Sequence, residues 1–221
     1  MAFKYSCFIS YNRELAEFAK SLKESIEQEL RPLGISLPVY LDLHEHEPGD
    51  DFTGRIADAL HHSVTFLSFY TVQYISRNRD FCTRELASFL AHQEDRFAQI
   101  KAKDVDANGF KLHQILPVIF RLNDKRSKLP TCLSQVHWAA NLTEVSANDK
   151  HASLISQEPY KKSIKKIAEK IDDLHFNMTK TYPIEFKQQS DIILLDKTHP
   201  MVENLFVQAE TETKNTRTFP T

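Results

Sequence analysis

The sequence predicts an α/β fold in which helices cover both faces of a five-stranded parallel β-sheet. Short apolar runs typical of strands alternate with segments whose apolar residues recur every three or four positions, which is the helical period. This alternation is typical of parallel sheets. The length of 221 residues and a composition of 41% hydrophobic and 26% charged residues suit one large domain, or one domain with an extension.

The first predicted strand and the first predicted helix lie near the N-terminus. The apolar run YSCFIS predicts a strand over residues 5 to 10, which we place at the centre of the sheet. A helix over residues 13 to 30 follows, and Pro32 and Gly34 then break the chain. The apolar positions of this helix are Leu15, Phe18, Leu22, Ile26 and Leu30.

The next three predicted elements flank an acidic stretch. The run LPVYLDL predicts a second strand over residues 37 to 43, and residues 52 to 62 predict a helix. The apolar positions of that helix are Phe52, Ile56 and Leu60. The run SVTFLSFYT, residues 63 to 71, predicts a third strand because it is rich in aromatic and β-branched residues.

Two further helices and two further strands complete the predicted fold. Helices are predicted over residues 82 to 98 and 160 to 174, and strands over residues 114 to 120 and 136 to 142. The apolar stripes of the two helices are Leu86, Phe89, Leu90 and Phe97 in the first, and Ile164, Ile167, Ile171 and Leu174 in the second.

The pattern weakens after Leu174. We therefore divide the chain into a domain over residues 1 to 175 and a C-terminal extension, or the start of a linker, over residues 176 to 221. The run DIILLD, residues 191 to 196, predicts one more strand. The final stretch ETETKNTRTFPT is polar and is expected to be frayed.

Composition and charge exclude several classes of protein. A net charge of -2 gives no electrostatic footprint for nucleic acid or for an anionic membrane. No apolar run approaches the ~20 residues of a membrane helix, and the N-terminus lacks the apolar core of a signal peptide. Three cysteines indicate a reducing compartment, so a cytoplasmic protein is expected. The four glycines form no phosphate-binding loop.

The stretch HEHEPGDD, residues 44 to 51, admits three interpretations. His44 and His46 would point the same way in an extended segment and could share a zinc ion. Their spacing is not that of the H-E-x-x-H motif, however, and Pro48 prevents the helix which that motif requires. The second interpretation is a solvated acidic loop. The third is one wall of a binding site, because ligands of open α/β sheets bind beyond the carboxyl ends of the strands. Segments 10 to 14, 42 to 51 and 69 to 82 leave strands on that side.

Three motifs in order resemble the TIR (Toll/interleukin-1 receptor) domain family. They are CFISYN, VYLDLHEHEPGDDFTGRIADAL and FLSFYTVQYISRNRDFCTREL. The resemblance implies a flavodoxin-like fold over residues 3 to about 98, and more loosely to Leu174. Some members of the family cleave NAD+ at the nicotinamide-ribose bond, and others only assemble with one another. The cleaving members carry a glutamate at the position of Glu85, which the resemblance therefore implies as the catalytic residue.

One carboxylate can suffice for this reaction. Glycoside hydrolysis usually needs a second carboxylate to protonate the leaving oxygen. Nicotinamide leaves as a neutral molecule and needs no proton, so the remaining task is to stabilise an oxocarbenium-like ribose. The alternative for Glu85 is a surface glutamate in the first turn of a helix, where the helix dipole favours negative charge.

Phe81 stands where NAD-cleaving members of the family usually have tryptophan. Its ring could line the nicotinamide side of the site, or it could be a buried anchor at the start of the helix. Cys82 fits the family pattern, and its simpler interpretation is a small buried apolar residue.

The resemblance also places the turn after the first strand against the dinucleotide. Arg13 would meet a phosphate and Tyr11 would pack near a ring. Ser10 and Asn12 belong to the same turn, and either could instead cap the first helix. Asp42 would bind a ribose hydroxyl or cap its loop.

Two functions follow as expectations. The first is an NAD+ nucleosidase that releases nicotinamide and ADP-ribose or its cyclic form, with NAD+ as substrate and neither cofactor nor metal, acting in bacterial anti-phage immunity. It would be activated by homo-oligomerisation through the loop at 42 to 51, which gates the cleft and contacts a second TIR domain. The alternative is a non-enzymatic TIR scaffold, which Phe81 favours. A phosphoacceptor receiver is disfavoured, because no acidic pair ends the first strand.

Overall fold

A computed structural model of the chain describes most of the sequence. The described residues are 2–43, 51–71, 73–102, 113–120, 133, 140–142, 151–154, 156–181, 184–186 and 191–215. The stretch at 44 to 50, to which the gating-loop and metal interpretations refer, lies outside them, as do the last six residues of the polar C-terminus.

The sheet has five strands, and every neighbouring pair is parallel. The strands are β1 Tyr5–Ser10, β2 Val39–Leu41, β3 Ser63–Tyr70, β4 Ile115–Ile119 and β5 Ala140–Asn141. Their spatial order is β2-β1-β3-β4-β5. This arrangement, with helices on both faces, confirms the predicted flavodoxin-like α/β class.

The prediction that β1 lies at the centre of the sheet is wrong. β1 is an interior strand between β2 and β3, but β3 holds the middle position. All eight residues of β3 are buried, whereas β1 starts with a half-buried Tyr5. The longest strand, which is buried along its whole length, therefore takes the middle position, where it is covered from every side.

Six helices accompany the strands in the described part of the chain. They are α1 Ala16–Leu30, α2 Phe52–His61, α3 Phe81–Ala102, α4 His151–Leu154, α5 Glu158–Phe176 and α6 Pro200–Asn215. A 3₁₀ turn, Arg13–Leu15, precedes α1, and a π-helical turn, Asn177–Thr181, follows α5. The four predicted helices are confirmed to within a few residues at each end.

The core lies in two layers, one on each face of the sheet. Side chains alternate along β1, so that Cys7 and Ile9 join one buried cluster and Phe8 joins the other. The first cluster packs α1 and α5 against the sheet, and the second packs α2 and α3 against it and α6 against α3. Phe8 stacks on Phe66, which stacks on Phe89 of α3. These contacts fix the position of α3 relative to the sheet, and therefore the position of the residues in its first turns.

The run at 191 to 196 forms no strand, contrary to the prediction. Ile192, Leu194 and Leu195 are buried in the cluster that contains α3. The backbone N–H of Leu195 donates to Ser88 Oγ at 2.9 Å, and its carbonyl accepts from Arg84 Nε at 2.7 Å. Side chains of α3 thus satisfy the polar backbone groups that a sheet ladder would otherwise have satisfied.

Helix α6 was not predicted, and its last residues belong to the stretch that we expected to be frayed. Pro200 opens the helix, where a missing N–H costs nothing. Val202, Leu205 and Phe206 are buried against the rest of the core. Arg77, in the loop between β3 and α3, binds Glu203 through two hydrogen bonds of 2.8 and 2.7 Å and binds Glu210 through one of 2.6 Å. Packing and this ion pair hold a helix that periodicity alone did not indicate.

Candidate active site

A cavity of about 600 Å³ opens beyond the carboxyl ends of β1 and β2. Its volume is within the range of roughly 300–1,000 Å³ that is typical of ligand pockets. The register pairs Ile9 with Leu41 and Ser10 with Ser68, so the first three strands end at the same edge. The residues that the sequence predicted for the site, and that line this cavity, are Tyr11, Asn12, Arg13, Asp42, Phe81 and Glu85.

The turn after β1 is held in place by three hydrogen bonds. The Tyr11 hydroxyl donates to the backbone carbonyl of Asp42 at 2.7 Å, which ties the ends of β1 and β2 together. Asn12 Oδ1 accepts the backbone N–H of Glu14 at 3.2 Å, so Asn12 caps the 3₁₀ turn. The Cys82 thiol donates to the Tyr11 carbonyl at 3.2 Å. The wall of the cavity is therefore braced from β2 and from α3.

Glu85 lies in the first turns of α3 and faces the cavity rather than bulk solvent. Only 7% of the residue is exposed, which does not match the alternative of a solvated surface glutamate. The Ser10 hydroxyl donates to Glu85 Oε2 at 2.5 Å. Ser10 is the one predicted site residue that does not line the cavity. It contributes to the site through its hydrogen bond to Glu85.

Burial raises the pKa of the Glu85 carboxyl to about 8. The Ser10 hydrogen bond lowers this pKa, the negative charge of Asp42 raises it, and the guanidinium groups of Arg13 and Arg84 lower it. Desolvation dominates, so the carboxyl retains a proton near neutral pH. A cationic ligand beside Glu85 would favour loss of this proton, because an opposite charge stabilises the carboxylate.

The raised pKa of Glu85 should make folding stability depend on pH. In the folded protein the carboxyl binds its proton up to about pH 8, whereas its ordinary pKa is 4.5. The folded state then holds one more proton between these values, and its free energy of unfolding falls as pH rises, by at most about 1.4 kcal/mol per pH unit. Urea unfolding from about pH 5 to about pH 9 should show this slope in wild type relative to Glu85→Gln. Parallel curves for the two proteins would contradict the assignment.

Asp42 presents a buried acceptor to the cavity. Its Oδ1 is shielded from solvent and, within the described ranges, accepts no hydrogen bond. An unpaired buried oxygen carries a desolvation cost, which a hydroxyl donated by a ligand would offset. This geometry fits the ribose-binding role that the resemblance implies for Asp42.

Phe81 stands at the mouth of the cavity and is not a buried anchor. The residue is 37% exposed. Its ring centroid lies 5.1 Å from that of Phe52, and the Arg84 guanidinium lies 5.0 Å from the ring centroid. Phe81 and Phe52 together form an aromatic rim on which a flat ring could pack. Burial raises the pKa of the neighbouring Cys82 thiol, in agreement with a small apolar role for that residue.

Several lining residues were not singled out by sequence. They are Ile9, Glu14, Phe52, Gln73, Asn78, Arg79 and Asp80. Most of them lie in the two segments, 10 to 14 and 69 to 82, that sequence placed at the strand ends. Arg79 donates to Glu14 across the cavity wall at 2.7 Å. The positions of the segments were predictable from strand direction, but the inward-facing members depend on the path of the loop.

No group of three or more His, Cys, Asp or Glu side chains in the described segments could hold a metal ion. His44 and His46 lie outside those segments, so the metal interpretation of HEHEPGDD stays untested. None of the helices that the structure describes is both long and apolar enough to cross a membrane.

Comparison with known proteins identifies the family of the chain. The family model described as TIR domain matches residues 7–155, well over half of the chain. Among curated proteins, none matches the sequence. The matched region contains β1 from Cys7 onward, the other four strands, the residues that line the cavity and Glu85. The chain therefore belongs to the TIR domain family.

Proposed function

We propose that this TIR domain is an NAD+ nucleosidase that cleaves the nicotinamide-ribose bond. The observation that carries the proposal is the burial of Glu85 in the wall of a cavity of suitable volume. A carboxylate at such a place acts in a water-poor environment, where electrostatic stabilisation of positive charge is strong. NAD+ is the substrate, and the proposed reaction requires no cofactor.

The proposed reaction breaks the bond between the ribose anomeric carbon and the nicotinamide nitrogen. The bonding electron pair stays with nicotinamide, which leaves neutral, and positive charge develops on the ribose. The Glu85 carboxylate stabilises that charge. Water then attacks the anomeric carbon and loses a proton to give ADP-ribose, or a nucleophile of the same molecule closes a cyclic product. No general acid is needed for departure of nicotinamide.

The other lining residues have positioning roles in this proposal. Asp42 accepts a hydrogen bond from a ribose hydroxyl, and its unpaired Oδ1 supports this role. Arg13 binds a phosphate oxygen of the dinucleotide, because guanidinium groups pair well with phosphate. Phe81 packs on the nicotinamide ring at the mouth of the cavity. Tyr11 packs near a ring and, through its hydroxyl, holds the end of β2.

Homotypic assembly is part of the proposal. TIR domains commonly interact with other TIR domains. We place the contact at the loop over residues 42 to 51, which adjoins the cavity through Asp42. Clustered carboxylates repel one another, so a basic surface on the second copy would stabilise the loop and free the entrance. Bacterial anti-phage immunity is the biological setting we propose for such a switch.

The alternative is a scaffold that assembles without chemistry. The phenyl ring of Phe81 offers less surface than an indole would, and more than a third of the residue is exposed. A smaller platform for nicotinamide would favour this alternative. A scaffold would bind other TIR domains and leave NAD+ intact.

Incubation of the purified full chain with NAD+ tests the proposal directly. Free nicotinamide is measured over time for the protein alone and for a form fused to a self-assembling tag. The rate of nicotinamide release per protein molecule is the quantity to compare. A rate that rises with protein concentration, and rises further in the assembled form, would support the enzyme. Assembly without any nicotinamide release would leave the scaffold as the function.

A further inference from the structure

Tyr74, in the loop between β3 and α3, is a buried residue that the proposed cleavage does not use. It is 1% exposed, and its hydroxyl donates to Ser10 Oγ at 2.7 Å. Ser10 in turn donates to Glu85 Oε2 at 2.5 Å. Three side chains from three separate segments thus form one continuous hydrogen-bonded chain that ends on the proposed catalytic carboxyl.

We propose that Tyr74 is a positioning residue that directs the Ser10 hydroxyl proton onto Glu85 and so favours the carboxylate form of Glu85. The inference rests on the proposed function for its catalytic consequence. Its effect on ionisation of Glu85 can be measured without any turnover.

The direction of the chain follows from the donors that are present. A serine hydroxyl has one proton to donate and two acceptor lone pairs. The donor from Tyr74 occupies an acceptor position of Ser10, so the Ser10 proton is left for Glu85. The bond polarises the serine hydroxyl and strengthens its own donation. Ser10 Oγ lies 2.5 Å from Glu85 Oε2, and once Glu85 is ionised this hydroxyl donates to a charged oxygen, which makes the bond stronger than one between neutral groups.

Local contacts fix the place from which Tyr74 donates. Its backbone N–H donates to the Thr71 carbonyl at 3.0 Å, and its ring lies 5.5 Å from that of Tyr70. Three residues further along, Arg77 is bound by Glu203 and Glu210 of α6. The loop is therefore held at both ends of the segment that carries Tyr74, and its hydroxyl approaches Ser10 from a defined direction.

Other ionisable groups act on Glu85 from the surrounding elements. They are Tyr11, Arg13, Tyr40, Asp42, Cys82 and Arg84. Asp42 opposes the carboxylate, whereas Arg13 and Arg84 favour it. Tyr74→Phe changes none of these charges and removes only one oxygen atom. A change in the ionisation of Glu85 in this variant would therefore report the hydroxyl of Tyr74.

The test measures ionisation of Glu85 by infrared spectroscopy of the full chain as pH is varied. The carbonyl stretch of the protonated Glu85 carboxyl is assigned by its absence from Glu85→Gln. We expect Tyr74→Phe to raise the midpoint of this titration by about half a pH unit, and Ser10→Ala to raise it by about one unit or more. In the Ser10→Ala background, Tyr74→Phe should add no further shift, because the relay passes through Ser10.

Two further variants make the test specific. Tyr160→Phe removes another buried tyrosine hydroxyl, which donates to Ser25. Neither residue lines the cavity, so this variant should leave the midpoint unchanged. Site-specific 3-fluorotyrosine at position 74 is a stronger donor of nearly the same size and should lower the midpoint, even if Tyr74→Phe folds poorly.

Nicotinamide release gives a second readout. The acid limb of the pH profile of kcat should shift to higher pH in Tyr74→Phe, by the same amount as the infrared midpoint. At high pH the kcat of the variant should equal that of wild type. A purely structural role for Tyr74 would lower kcat at every pH. An unchanged infrared midpoint in Tyr74→Phe, or equal shifts with and without Ser10, would overturn the inference. Absence of turnover in every protein would overturn the proposed function alone.

Discussion

Glu85→Gln is expected to lower the rate of nicotinamide release by about 100-fold or more, the usual effect of removing one preorganised stabiliser of transition-state charge. Glutamine has nearly the same size, and its side-chain oxygen can still accept the Ser10 hydrogen bond that Glu85 accepts at 2.5 Å. It lacks only the negative charge that would face the developing cation. Initial rates should be compared at about pH 9, above the pKa of about 8, where wild-type Glu85 is mostly ionised.

The control for this prediction is Glu29→Gln, which removes an exposed carboxylate of α1 and should leave the rate unchanged. Loss of the fold should not explain the effect, because a buried neutral amide costs less than a buried charge. The free energy of unfolding of Glu85→Gln at high pH should therefore equal or exceed that of wild type. Undiminished turnover in Glu85→Gln or Glu85→Ala would refute the catalytic assignment.

Phe206→Ala is expected to lower the free energy of unfolding by about 3–5 kcal/mol, the usual cost of truncating a buried phenylalanine. Phe206 is 3% exposed and belongs to the core cluster that α3 and α6 share. Its ring also lies 4.9 Å from the Arg77 guanidinium, so truncation would remove a cation–π contact as well. Chemical denaturation followed by circular dichroism measures the change.

Val207→Ala is the matched control, since the residue is adjacent in sequence but 48% exposed. We expect a change within about 0.5 kcal/mol for it, as for most surface substitutions. Equal effects of the two substitutions would mean that α6 contributes nothing to the core, and that the C-terminal segment is an appendage. The division of the chain near residue 175 remains a prediction that this comparison addresses.

The fold was predictable where the hydrophobic pattern is long and unambiguous. Helices α1 and α5 each carry apolar residues at the helical period over several turns. In a helix these residues all fall on one side, which can be buried against the sheet. The run at 191 to 196 is too short for its period to distinguish a strand from an extended segment packed on a helix. Helix α6 has few buried positions and a charged surface, and the partners that stabilise it, such as Arg77, are distant in sequence. The central place of β3 is a property of strand pairing, which local pattern does not encode.

The location of the site was predictable from the sequence, but the individual contacts within it were less so. Parallel strands end at one edge, so the residues after β1 and β2 had to meet the start of α3. The family resemblance then selected Glu85 and its neighbours. The role of Tyr74 as a donor to Ser10 depends on how the loop between β3 and α3 turns, and the pKa of Glu85 depends on how completely that turn excludes water. Both are tertiary properties that residue spacing does not specify.

Because Glu85 can be protonated, hydrogen ions and cationic ligands compete for binding to its carboxylate. Below about pH 8 the buried carboxyl holds a proton, and a ligand that brings positive charge must displace it. The affinity of the cavity for such a ligand then rises with pH and levels off once Glu85 is already ionised. A neutral ligand of the same shape has no such competitor. The pH alone would thus change the preference of the cavity for cationic over neutral ligands, with no movement of the backbone.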